Sequence, residues 1–115
     1  MDITVGFIGC GSAVQTAYAP ACAAHSGCMP AAWYDPMEER AEKMARTYGG
    51  RVFQSMDALL AAGVRAVMID LPIALRAPAI CAALKAGCHV LCELPLTMDF
   101  DGVWALIVAT LDAPG

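Results

Sequence analysis

With 115 residues, the chain has the length of one domain. Hydrophobic residues make up 59% of it and charged residues 16%, which excludes a disordered chain, yet charge or proline interrupts every apolar stretch before the roughly 18 residues a membrane span requires. The net charge of −4 comes with no cluster of Lys or Arg, which argues against nucleic acid as a partner.

A mean hydropathy of +0.59 fits a parallel sheet covered on both faces, or a face that another domain or a second copy covers, so a homo-oligomer is open. The N-terminal MDITVGFIG has no basic region ahead of a long apolar one. No secretory leader is expected there, and the cytoplasm is the expected compartment. The six cysteines form no C-x-x-C pair and only two histidines accompany them, so they read as small buried hydrophobes and no metal site is expected.

Ile3–Ile8 reads as the first strand, followed by a helix over Ser12–His25 that Pro20 should bend. Pro30–Tyr34 is the second strand, ended by Asp35. Pro36 suits the first turn of the next helix, where Glu38 and Glu39 complement its positive end. Met37, Ala41, Met44, Ala45 and Tyr48 share one face of that helix, and Gly49-Gly50 stops it. Arg51–Phe53 is a short third strand, and Ser55 caps a helix through Ala62. Arg65–Ile69 is the fourth strand, Ile73–Ala86 the next helix, Cys88–Cys92 the fifth strand. Asp99 caps a last helix to about Leu111.

Strict alternation of strand and helix predicts an α/β fold with a parallel sheet of about five strands and helices on both faces, as one domain over residues 1–115. In such sheets ligands bind beyond the carboxyl ends of the strands. The residues to read for function are therefore Gly9–Val14, Asp35, Gln54-Ser55, Asp70–Pro72 and Glu93–Pro95.

Strand, Gly9-Cys10-Gly11 and helix start form the core of a dinucleotide fingerprint. Gly9 permits the tight turn, and Gly11 lets the backbone approach a pyrophosphate. The N–H groups of Ser12, Ala13 and Val14 would face the phosphates from the helix start. Val14 stands where a third glycine usually allows close helix packing. Asp35 lies 24 positions past Gly11, near the spacing of about 20 expected for an acid that accepts from ribose hydroxyls. Its charge would repel a 2′-phosphate and favours NAD over NADP. The plainer reading of Asp35 is a cap for the following helix. Arg40, one turn into that helix, reads either as a neighbour of the adenosine end or as a solvated surface residue.

These stretches resemble the N-terminal Rossmann domain of the glucose–fructose oxidoreductase / inositol dehydrogenase (Gfo/Idh/MocA) family. The matching segments are VGFIGCGSAV, YAPAC, YDPMEERAEKMARTYGG, SMDALLAAGVRAVMIDLP and ALKAGCHVLCELPLTMDF, nearly the whole chain. The resemblance implies a cofactor domain of an oxidoreductase that transfers hydride between NAD(P) and a sugar, polyol or similar small molecule, with the substrate domain absent from these 115 residues. It implies that Gly9, Gly11, Ser12, Ala13 and Val14 line the pyrophosphate, that Asp35 holds the adenosine ribose, and that Leu71, Pro72 and Glu93 flank the nicotinamide half. The family's E-K-P lysine is Leu94 here, its usual threonine is Leu71, and a frequent histidine is Arg76. Leucine cannot donate or move a proton. No catalytic residue is therefore assigned, and the alternative is a non-catalytic nucleotide-binding or sensing module.

Overall fold

The computed structural model describes residues 2–93 and 99–113. Strands β1 (Ile3–Ile8), β2 (Cys28–Tyr34), β3 (Arg51–Val52), β4 (Ala66–Ile69) and β5 (His89–Cys92) alternate with helices. A π-helical segment, Val14–Tyr18, runs directly into α1 (Ala19–Ala24). Then come α2 (Glu38–Tyr48), α3 (Met56–Ala61), α4 (Ile73–Lys85) and α5 (Phe100–Asp112). The strands form one sheet in the order β3-β2-β1-β4-β5, and every neighbouring pair is parallel. The sequence-based expectation of a five-stranded, doubly covered parallel sheet holds.

Two cores follow from the alternation of side chains along the strands. On one face Phe7, Trp33 and Met68 pack with Val14, Ala19, Ala41 and Met44, beneath α1 and α2. Phe7 and Trp33 stack at 4.5 Å between ring centroids, and the Trp33 indole N–H donates to the Gly49 carbonyl at 2.7 Å. On the other face Ile8, Val67 and Ile69 pack with Leu59, Leu60, Ile80 and Ala83 of α3 and α4. Ser55 caps α3 by accepting the Ala58 N–H, and Asp99 caps α5 by accepting the Gly102 N–H, both as expected.

Three expectations need correction. The first helix is not uniformly α. The Ala19 N–H reaches back to the Val14 carbonyl, one residue further than an α-turn. Pro20 has no N–H and its ring would strike the carbonyl four residues earlier; the wider turn relieves both problems. Second, β2 starts at Cys28 rather than Pro30. Pro30 pairs with Val5 but the next pair is Gly6 with Ala32, so the register skips Ala31 beside the residue that cannot donate to the ladder. Third, α2 starts at Glu38 rather than Pro36. The Asp35 carboxylate accepts the Met37 N–H at 2.7 Å, a local turn that holds Pro36 and Met37 outside the helix. Met37 is consequently 55% exposed and drops out of the expected apolar stripe, which Ala41 and Met44 retain.

Candidate functional site

The sheet order places the switch point between β1 and β4, where successive connections leave in opposite directions. The crevice there is built from the turn after β1, the end of β2 and the segment after β4. Three backbone bonds fix it. The Gly9 N–H donates to Tyr34 O at 2.7 Å, the Asp70 N–H to Ile8 O at 2.9 Å, and the Gln15 N–H to Gly11 O at 3.0 Å.

The glycines are required by geometry. Gly9 has φ +96°, and a Cβ there would overlap the Asp70 carbonyl oxygen. Any side chain at residue 9 would therefore need both an unfavourable backbone conformation and a displaced β4 end. Gly11 lies in the open crevice, where a Cβ would meet only the Asp70 carboxylate, 3.3 Å from Oδ2.

The first α-type bond of the helix runs from Gln15 to Gly11. The N–H groups of Ser12, Ala13 and Val14 thus have no intrahelical acceptor and point out of the first turn, at the positive end of the helix dipole. Gln15 steadies the turn through Nε2, which donates to Cys10 O at 2.8 Å. Val14 is fully buried in the core under α1 and α2, so the bulk that replaces a third glycine is absorbed by packing.

Asp35 is the buried acid of the site, 7% exposed. One carboxylate oxygen accepts the Cys10 N–H at 2.7 Å and the other accepts the Met37 N–H at 2.7 Å. These charge-assisted bonds tie the glycine turn of β1 to the start of α2. A carboxylate offers about four acceptor sites, so the two that remain are available to a hydroxyl. The ribose-acceptor reading of Asp35 is compatible with this arrangement; the helix-cap reading is not, because the N-cap of α2 is Met37 and the helix has no side-chain cap bond. The bond to Cys10 was not legible, because it joins residues 25 apart through a main-chain donor.

The Cys10 thiol is buried beside this acid. Burial first, then the charges of Asp35 and Asp70, push it up to about 12. It is a packed, inert thiol rather than a nucleophile. Burial and the neighbouring Cys28 likewise push Cys22 up to about 11. Among the described residues, no group of three or more His, Cys, Asp or Glu side chains could hold a metal ion.

The remaining predicted residues divide. Arg40 lies on the exposed side of α2, beside Gln15, Glu39 and Lys43, and its charge reaches Cys10. Leu71 is buried in the core under α3 and α4, and the exposed Pro72 precedes α4. Glu93 is exposed at the end of β5. Arg76, read from sequence only as a substitution, is a clasp: its Nε donates to Leu71 O at 2.8 Å and its Nη1 to Glu93 O at 3.3 Å. It thereby bridges the ends of β4 and β5. Leu94 and Pro95 lie outside the described residues.

An apolar hollow of about 400 Å³ lies away from this crevice, against β1, β4 and β5 on the α1 side, with Tyr18, Cys22, His25 and Leu91 at its wall. It contains none of the predicted site residues. No described helix is long and apolar enough to cross a membrane.

Residues 3–111 match the model of the Gfo/Idh/MocA oxidoreductase family, described as an NAD-binding Rossmann fold. The chain is 41% identical over 96 residues to the dTDP-3,4-didehydro-2,6-dideoxy-alpha-D-glucose 3-reductase of Streptomyces violaceoruber, covering 83% of this chain and 28% of that protein. It is 40% identical over 74 residues to the UDP-N-acetylglucosamine 3-dehydrogenase of Acidithiobacillus ferrooxidans, covering 64% of this chain and 23% of that one. Among solved structures, the 3-ketoreductase KijD10 of Actinomadura kijaniata, in complex with NADP and TDP-benzene, superposes with a TM-score of 0.89 at 34% identity. That match covers 97% of this chain and 35% of KijD10. The matched part of the chain thus spans between 23% and 35% of the length of these relatives.

Proposed function

This chain belongs to the Gfo/Idh/MocA oxidoreductase family as an NAD(P)-binding Rossmann domain, and from that premise we propose that it serves an enzyme that reduces or oxidises a sugar, carried as a nucleotide sugar, by hydride transfer. The observation that carries the reading is the turn after β1. It offers three outward N–H groups at a helix start, beside two glycines whose positions the fold requires. The sugar-nucleotide chemistry in the names of the relatives supports the substrate class.

The residues divide the work by position. Ser12, Ala13 and Val14 would donate their main-chain N–H groups to the pyrophosphate, with Gly11 allowing its close approach. Asp35 would use its two remaining acceptor sites on the adenosine ribose while holding the turn in place. Leu71, Pro72 and Glu93 would flank the nicotinamide half, with Arg76 keeping their two loops together. The dinucleotide, when bound, supplies or accepts the hydride.

NADP stands on at least an equal footing with NAD. The Asp35 carboxylate is committed to two backbone donors, which spreads its charge and weakens the repulsion of a 2′-phosphate expected from sequence. Arg40, exposed in the first turn of α2 with a charge that reaches Cys10, would be the cation available to such a phosphate. The solved relative that superposes on the chain holds NADP.

Calorimetric titration with NADPH and NADH tests the reading. Saturable binding of either, lost in Gly11→Val, is the expected result. A folded chain that binds neither would overturn it.

A further inference from the structure

The crevice contains one group that works against its proposed ligand. Asp70 follows β4 at the switch point, held by its N–H to Ile8 O, with its carbonyl oxygen where a side chain at residue 9 would lie. Its half-buried carboxylate faces Gly11, where Oδ2 lies 3.3 Å from the site of a Cβ. That is the surface a pyrophosphate must approach to reach the N–H groups of Ser12, Ala13 and Val14. The charge is felt on both sides of the crevice, at Cys10 and at Cys92. Among the described residues no side-chain hydrogen bond or ion pair to this carboxylate is formed; Arg76, beside the same rim, donates to the Leu71 and Glu93 carbonyls.

We propose that Asp70 is an affinity-determining residue of the dinucleotide site, its carboxylate opposing the pyrophosphate at Gly11 so that the cofactor is held loosely and exchanged readily. The inference rests on the dinucleotide reading of the turn. Removal of the Asp70 charge is expected to tighten Kd about tenfold, equivalent to ~1.4 kcal/mol.

The test is titration of the 115-residue chain and of its Asp70→Asn and Asp70→Glu variants with NADPH, at low and at high salt. Circular dichroism establishes that each variant is folded. Asp70→Asn should bind about tenfold more tightly at low salt, and the advantage should shrink at high salt as the charge is screened. Asp70→Glu, which keeps the charge, should stay as weak as the parent. Equal or weaker binding by Asp70→Asn, or a gain indifferent to salt, would overturn the role of Asp70 and leave the glycine turn as the site. If the folded parent and Asp70→Asn both fail to bind, the dinucleotide reading itself falls, and this inference with it.

Discussion

The two halves of the crevice are built differently. On the β1–β2 side everything is fixed: Phe7, Ile8, Cys10 and Trp33 are all but fully buried, Gly9 has a conformation reserved for glycine, and Asp35 joins the turn to α2. On the β4–β5 side the fixing fades toward the edge. No residue of β5 is fully buried, Leu91 is 60% exposed, and α5 buries none of its residues while exposing Phe100, Trp104 and Leu111. The half that would hold the adenosine and pyrophosphate is therefore preorganised by this chain's own core. In the half that would face the reacting ring, β4 and Leu71 are held by the core, while the β5 edge rests on a few polar links, of which the Arg76 clasp is the clearest. Binding and chemistry can separate along that line, because the first needs only the rigid half.

Substitutions should expose the asymmetry. The largest effect is expected from Gly9→Ala, which must strain φ and push back the Asp70 carbonyl. A loss of about 3–5 kcal/mol is expected by urea denaturation, with loss of nucleotide binding. Asp35→Ala removes two charge-assisted acceptors and leaves the buried Cys10 N–H without a partner. A loss of about 2–3 kcal/mol is expected in the same assay, and an unchanged midpoint would show that the turn does not depend on the link to α2.

A third effect follows from Cys10. Its folded value of about 12 lies above the ordinary 9, so the folded chain binds the proton more tightly than the unfolded one. The associated stability is complete below about pH 9 and is lost as pH rises toward 12. By about pH 10 the share of Cys10 in the fall should be about 1.4 kcal/mol, measured as the difference between parent and Cys10→Ala in denaturation against pH. Cys10→Ala should reduce that slope and leave the part carried by Cys22, which is also raised, to about 11. The smallest effect is expected on the other side: Leu91→Lys on the exposed edge strand should change stability by no more than about 0.5 kcal/mol. A large loss there would break the comparison.

Much of the rigid half was legible in the sequence. Glycine and proline punctuate the chain sharply enough to order the elements, and Ser55 and, outside that half, Asp99 form the helix caps expected of them. What escaped depends on contacts between distant segments. The bond from Cys10 to Asp35 uses a main-chain donor that any residue would supply, so no side-chain pattern announces it. The clash of a Gly9 side chain with Asp70 needs the placement of β4, which spacing alone does not give. Pro20 announced a disturbance of the first helix but not its form, because a bend and a π-turn both answer a missing N–H. Arg76 looked like a lost histidine because its work is done on backbone carbonyls.

The central claim is that the turn after β1 holds a nicotinamide dinucleotide. Titration of the isotopically labelled chain with NADPH, followed by amide NMR, tests it most directly. The account predicts saturable shifts at Gly11, Ser12, Ala13 and Val14, with smaller ones near Asp35. Shifts confined to the apolar hollow around Tyr18 and Leu91, or none at all in the folded chain, would contradict it.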